Sequence, residues 1–372
     1  METKSQHLDI AGKRVGPGQG VYIVAEMSAN HGQQFEQAVE ILKAAKAAGA
    51  DAMKLQTYTP DTLTINSNKE YFRVGGGTLW DGRTLYDLYS EAYTPWEWQP
   101  KLKKIADDLE IDLFSTPFDH AAVDFLEEMG VLTYKIASFE VVDLPLIQRV
   151  ARTGKPVIMS TGMATLSEID EAVRAFRAAG GKQLALLKCT SAYPAPPEDM
   201  NLFTIPHLAE AFELPVGLSD HSTGIAVAVA AVALGACIVE KHLALSRQTP
   251  GPDSAFSLEP HEFKEMVGAI RTTEKALGRV HYGPSQEEAK SSVFRRSLFV
   301  VKDVKAGENF TAENVRSIRP GHGLHTRHLE EILGRTASRN IQRGTPLAWE
   351  LIGMQDTSSR KERERNQFRA SG

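Results

Sequence analysis

Eight short apolar runs recur along this chain, and each ends in polar residues with chemical uses. Val21-Tyr-Ile-Val-Ala-Glu26 leads into Ser28-Ala-Asn30-His31. Ala52-Met-Lys54-Leu-Gln56, Leu113-Phe-Ser115-Thr116, Tyr134-Lys135-Ile-Ala-Ser138 and Val157-Ile-Met-Ser160-Thr161 follow. The run from Leu184 to Lys188 passes into Cys189-Thr-Ser191-Ala-Tyr193. Val216-Gly-Leu-Ser219-Asp220-His221 and Ile238-Val-Glu240-Lys241-His242 complete the row. Runs apolar throughout read as buried parallel strands. Lysines and acids at their ends are expensive unless they meet a ligand, a metal or each other. Repeated with one polarity, they predict the catalytic mouth of a (β/α)₈ TIM barrel.

Helical spacing alternates with these runs, as a parallel sheet with outer helices requires. Helices are predicted over Gln37–Ala48, Trp96–Leu109, His120–Met129, Leu144–Arg152, Leu166–Ala179, Ile205–Phe212, Gly224–Leu234 and Glu259–Leu277. Several stop at a glycine such as Gly49, Gly130 or Gly278, a left-handed cap position. The stretch Asp61–Tyr93 breaks the rhythm with a triple glycine and many aromatics, and so predicts a binding loop or lid.

At 372 residues, two domains are expected. The first, the barrel, covers 1–278, and a polar, basic linker covers 279–296. A small β-rich module covers 297–354, and the 355–372 tail, lacking an apolar pattern, is expected to be disordered. Net charge is −5, with basic residues spread rather than clustered, which excludes a nucleic-acid surface. The longest apolar stretch, Ile225–Leu234, is too short to span a bilayer, and no apolar signal core opens the chain. The two cysteines, Cys189 and Cys237, both lie in apolar runs and read as reduced core residues of a cytoplasmic protein.

His221 and His242 end neighbouring strands, so they can share a divalent metal, with Asp220 and Glu240 orienting the imidazoles or joining the outer shell. Two nitrogen ligands leave open positions, which suits a Lewis acid better than a structural zinc. Lys54, Lys135 and Lys188 stand at three strand ends beside Ser138, Ser160, Thr161 and Ser219, and together predict an anion cradle. The plainer alternative pairs one of these lysines with Glu26 or Glu240. Glu26 and Asp253 are candidates for acid–base work or sugar contacts, with an Asx-type turn the plain alternative for Asp253. Arg319 in the small module reads as an anion-binding finger or a loop arginine.

The segments Ala25–His31, Phe114-Ser-Thr-Pro-Phe-Asp119, Tyr134–Ser138, Ser160-Thr-Gly162, Ser219-Asp-His221 and Glu240-Lys-His242 resemble the sialic acid synthase family, over nearly the whole chain. Ser297–Ile352, with Arg319-Pro-Gly, resembles the antifreeze-like (SAF) module that ends that family's chains. Ser28–His31, Leu79–Tyr89, Glu91–Trp98 and Pro252–Pro260 are most similar to the bacterial pseudaminic acid branch, whereas Pro250-Gly-Pro-Asp253 looks more like the sialic acid branch.

The resemblance implies that phosphoenolpyruvate condenses with the open-chain aldehyde of an N-acylated amino sugar, here 2,4-diacetamido-2,4,6-trideoxy-altrose. Phosphate would leave by C–O cleavage. It implies a divalent metal, Mn²⁺ with Mg²⁺ or Co²⁺ as alternatives, on His221 and His242. Thr116, Lys135, Ser138, Ser160 and Ser219 would hold phosphoenolpyruvate with Lys54 nearby, and Ser191 stands at a family position often filled by Asn. Glu26, Gln56, Tyr193 and Asp253 would face the sugar. Arg319 would come from the partner in a domain-exchanged homodimer. The alternatives are a sialic or legionaminic acid synthase, a Schiff-base aldolase on Lys135 or Lys188, an iron oxygenase, or a carbohydrate- or ice-binding protein.

Overall fold

The computed structural model describes residues 7–249 and 251–353, so the predicted tail lies outside the described residues. The chain divides after Gly278 into two compact units. The first opens with an antiparallel hairpin, β1 (Leu8–Ile10) against β2 (Lys13–Val15). Eight parallel strands then close into a barrel: β3 (Tyr22–Glu26), β4 (Ala52–Thr57), β5 (Asp112–Pro117), β6 (Tyr134–Ile136), β7 (Val157–Ser160), β8 (Leu184–Cys189), β9 (Val216–Asp220) and β10 (Ile238–His242). Pairing of β10 with β3 seals the ring and sets His242 beside Glu26. This is the barrel that the alternation of apolar runs and helical spacing predicts.

Local signals in the sequence start and stop the outer helices. The Asp119 carboxylate accepts from Ala122 N and the Asp143 carboxylate from Leu146 N, capping the helices His120–Met129 and Leu144–Ala151. Thr165 and Glu168 form a reciprocal capping box ahead of Leu166–Ala178. The helix Phe35–Ala48 ends on Gly49 at φ +91°, where a side chain would be strained.

Strand residues alternate between two apolar environments. Ile23, Ala25, Met53 and Leu55 pack outward with Ile41 and Leu42 of the helix Phe35–Ala48. Val24, Phe114, Ile158 and Leu187 face the barrel axis, together with Leu8, Ile10 and Val15 of the hairpin, which closes the end of the barrel opposite the functional strand ends.

The second unit pairs β11 (Ser297–Val300) with β12 (Val315–Ile318) around a core of Leu298, Phe310, Val315, Ile332 and Leu347. The stretch expected to be a plain linker contains the short helix Gln286–Ala289 and a 3-10 turn over Lys290–Phe294. Ser285 and Glu288 bond each other's backbone N–H in a capping box, a start signal missed beneath the stretch's polar composition.

On the outer face of the barrel, Lys241 Nζ meets Asp220 Oδ2 at 2.7 Å, and neither side chain is exposed. Asp220 Oδ1 also accepts from the backbone and hydroxyl of Ser222, so the pair anchors the loop after β9. Lys241→Met should lower unfolding free energy in urea by about 3–5 kcal/mol, because it leaves a buried carboxylate unpaired. Asp220→Asn in the same chain should restore much of the loss. An unchanged urea midpoint in the single variant would mean that the pair contributes nothing.

Candidate active site

The alternation that builds the barrel also selects which polar residues meet. Inward positions at the strand ends are Glu26, Lys54, Gln56, Thr116, Lys135, Ser160, Cys189, Ser219, Glu240 and His242. Most of them line one cavity of about 380 Å³, joined by Ser28, Ser138, Tyr193, His221 and Asp253 from the loops. Lys54 Nζ lies 2.8 Å from Glu26 Oε2, 3.5 Å from Glu240 Oε1 and 3.4 Å from Thr116 Oγ1. Lys135 Nζ donates to Ser160 Oγ at 2.7 Å and stands 3.8 Å from Glu240 Oε1. Ser219 Oγ donates to Glu240 at 3.2 Å. Gln56 Nε2 donates to Glu26 Oε1 and Ser28 Oγ, both at 2.9 Å.

All four charged groups are buried, and their proton affinities follow from that. Burial alone would drive Lys54 down, but Glu240 and Glu26 hold it above its ordinary value. Lys135 has weaker pairing, so burial wins and lowers it. Burial raises Glu26, with Lys54 opposing. Burial also pushes on Glu240, but Lys135 and Lys54 hold it below the usual carboxylate range. Asp253 is raised by burial; its Oδ2 accepts from Ala29 N at 3.3 Å, a long-range contact and not a local turn.

The two imidazoles lie with ring centroids 5.3 Å apart, and aromatic rings hold them there. Tyr193 stacks on His221 at 4.4 Å, and Phe256 packs on His242 at 4.9 Å. His221 Nδ1 is 3.1 Å from Thr190 O, so it carries the proton and leaves Nε2 free to ligate. His242 Nδ1 is buried without a hydrogen-bond partner, and so is Glu240 Oε2. Burial, with His221 and Lys54 nearby, keeps His242 well below its ordinary value and hence neutral. Burial would lower His221, but Cys189 and the Thr190 carbonyl hold it above its ordinary value, so of the two imidazoles it is His242 that burial keeps neutral. That imidazole, with the unpartnered His242 Nδ1 and Glu240 Oε2 beside it, fits a divalent ion shared with His221. Among the described residues no three His, Cys, Asp or Glu side chains form a ready cage, so such an ion would draw its other ligands from water or substrate.

Three expectations are corrected. Lys188 points outward from β8, where its Nζ donates to Cys189 O and Thr190 Oγ1, so it does not line the cavity. Asp220 likewise faces outward to Lys241 and orients neither imidazole. Cys189 is more than core: it lines the cavity with Sγ 3.8 Å from His221 Nδ1. Burial would raise that thiol, but His221 brings it down to about 6. Ser191 stays close to the cradle, since a Cβ on Gly162 would lie 2.2 Å from Ser191 Oγ and 2.7 Å from Ser138 Oγ. Gly162 is thus required where these segments converge, and its N–H donates to Ser138 Oγ at 3.1 Å. Arg319 is exposed in the second unit and has no hydrogen bond or ion pair among the described residues.

The insertion does cover the mouth. Trp80 stacks on Tyr193 at 5.6 Å, and its Nε1 donates to Pro252 O at 3.0 Å. Sequence reasoning missed Glu140, which lines the cavity two residues after Ser138 with a buried, unpartnered Oε2. Burial pushes its carboxyl up to about 7, against the pull of Lys135. The folded chain therefore binds this proton more tightly than the unfolded chain. Its contribution to stability is present below about pH 4.5 and is lost as pH rises towards 7. Glu140→Gln should match the parent chain at pH 4 and be the more stable at pH 8 in urea titrations. A gap that does not change with pH would show that Glu140 titrates normally.

The family model described as NeuB family matches residues 41–282, and the SAF domain model matches 295–352. A pseudaminic acid synthase of Campylobacter jejuni is 48% identical over 327 residues, covering 88% of this chain and 95% of that relative. One from Helicobacter pylori is 46% identical, covering 88% and 96%. The crystal structure of an N-acetylneuraminic acid synthetase from Leptospira borgpetersenii, in complex with citrate, aligns with TM-score 0.69 and 33% identity, covering 78% of this chain and 96% of that one. With a family model spanning most of the barrel and relatives this similar along nearly their whole length, the chain belongs to the NeuB family, that of the sialic acid synthases.

Proposed function

We propose that this chain is a pseudaminic acid synthase, a transferase acting in the cytoplasm. It condenses phosphoenolpyruvate, 2,4-diacetamido-2,4,6-trideoxy-altrose and water to pseudaminic acid and phosphate. The observation that carries this reading is one cavity in which Lys54, Lys135, Ser138, Ser160 and Ser219 face His221 and His242. The naming of relatives from two species supports the choice of sugar. Among the described residues no helix is long and apolar enough to cross a membrane.

Lys135 and the hydroxyls of Ser138 and Ser160 would bind the phosphate and carboxylate of phosphoenolpyruvate, with Thr116 and Lys54 behind them. A divalent ion on His221 and His242, Mn²⁺ by preference, would supply Lewis-acid polarisation of the sugar aldehyde. Gln56, Glu26, Tyr193 and Asp253 would orient the sugar so that its aldehyde carbon faces C3 of phosphoenolpyruvate. Bond formation there leaves positive charge at C2, which water traps. Glu140, a half-neutral carboxyl on the same wall, is suited to take that water's proton. Phosphate then leaves with its bridging oxygen.

A Schiff-base aldolase remains a second reading because burial lowers Lys135, as a nucleophilic lysine requires. His221→Ala or His242→Ala should abolish turnover, and chelation should do so reversibly. Full activity in excess chelator, with a borohydride-trapped imine on Lys135, would establish the aldolase instead.

We also propose a homodimer in which each site receives Arg319 from its partner's SAF module. The exposed Arg319 and the exposed Phe139 and Met163 on the barrel-mouth loops support it. Mixing His242→Ala chains with Arg319→Ala chains should restore one working site per mixed dimer. No recovery after verified exchange would assign Arg319 to its own barrel or to no site.

The sugar is tested directly. The diacetamido-trideoxy sugar should exceed N-acetylmannosamine in kcat/KM by roughly tenfold or more, as expected for one misplaced apolar group. Equal or better use of N-acetylmannosamine would make the chain a sialic acid synthase.

A further inference from the structure

The inserted segment supplies a part of the cavity that the chemistry above does not use. Leu85, Leu88, Tyr89 and Ala92 recur at i, i+3, i+4 and i+7 on the helix Leu85–Ala92, and all four line the cavity. A stripe at this spacing ordinarily faces a protein core. Here it faces the substrate space, with Leu63 and Val74 of the same insertion beside it in the wall. Tyr58 braces the stripe from the barrel side, its ring 5.7 Å from Tyr89 and 5.1 Å from Phe118. Val74 is fixed to the start of the helix by paired backbone bonds, Val74 N to Arg83 O and Gly82 N to Val74 O, both 2.9 Å.

The charged groups lie elsewhere. The lysines and carboxylates and most of the hydroxyls come from β3, β4, β6, β7, β9 and β10 and the loops after the strands; the insertion adds only Thr78, whose hydroxyl already donates to Asp81, and the Tyr89 phenol on the side of Glu140. A small dianion held by the strand-end groups has no use for an aliphatic wall. The wall is left to the second substrate, and its chemistry states what that end of the molecule must be. Leu85, Leu88 and Ala92 offer no hydrogen-bond partner, so a hydroxyl pressed against them would be buried unpaired. A methyl would be buried without that penalty.

We infer that the insertion helix is the specificity element of the enzyme, and that its stripe reads the C6 methyl and adjoining acetamido methyl of the sugar. This inference rests on the synthase reading above. The catalytic strands then perform the condensation on whatever aldehyde is presented, and the insertion decides which sugar is presented well.

The test compares 2,4-diacetamido-2,4,6-trideoxy-altrose with its 6-hydroxy counterpart in Leu88→Ala and Val74→Thr chains. Val74→Thr keeps the side-chain shape and adds a hydroxyl at a half-buried loop position, so it guards against a failure of Leu88→Ala to fold. The parent enzyme should prefer the 6-deoxy sugar by at least about tenfold in kcat/KM. Each variant should cut that ratio several-fold and leave KM for phosphoenolpyruvate unchanged. A ratio that stays constant in both variants, whatever happens to overall turnover, would overturn the inference. A parent enzyme that condenses phosphoenolpyruvate with neither sugar would instead overturn the synthase reading on which the inference stands.

Discussion

Glu26, Lys54, Lys135 and Glu240 share the inside of the barrel, each at most 4% exposed. None could stay charged there alone, because an isolated ion loses several kcal/mol or more on leaving water. Together they offset one another, two lysines and two carboxyls linked through the 2.8 Å Lys54–Glu26 contact and the bridging Glu240. The balance is uneven in a useful way. Lys54 is held by two carboxylates, while Lys135 has one at 3.8 Å and a serine hydroxyl at 2.7 Å. The arrangement leaves positive charge at Lys135 with room for an incoming anion to complete it. The serines, the glycine at 162 and the two histidines are arranged around that unfinished pairing.

The histidines depend on a different kind of support. Tyr193, Phe256 and Trp80 form an aromatic enclosure that fixes the imidazole planes without using their nitrogens. Among the described residues, the engaged ring nitrogens of this pair are confined to His221 Nδ1, which lies 3.1 Å from Thr190 O and 3.8 Å from Cys189 Sγ. Apolar contacts therefore orient the ligating groups and leave their lone pairs available, which hydrogen-bonded carboxylates in the same places would not do.

Much of this was legible in the sequence, and the misses share a cause. Apolar runs marked the strands, and their polar ends marked the mouth. What the runs could not show was parity. A strand buried on both faces is apolar at every position, so nothing distinguishes the inward Cys189 from the outward Lys188, or the inward Ser219 from the outward Asp220. Lys241 and Asp220 read as two more mouth residues, yet they pair on the outer face. Glu140 was overlooked because an acid after an exposed Phe139 looks like solvated loop; its distance of two residues from Ser138 was the available signal. In the insertion, aromatic density is the conspicuous feature, while the helical period of Leu85, Leu88, Tyr89 and Ala92 carries the more specific signal. The match of helical stops to glycines held because those positions need a left-handed backbone whatever the surroundings.

The hairpin of β1 and β2 has a consequence for the barrel's other end. Leu8, Ile10 and Val15 plug one end of the barrel with the same apolar cluster that fills its axis. Among the described residues the hairpin closes that end, and the cavity lies at the other, where Trp80 and Leu88 of the insertion form part of its wall. Lys135 and Ser160 sit on the strands, while Trp80 and Leu88 sit on the cover. Two molecules sharing this cavity would therefore meet on opposite walls, one against the strands and one against the cover.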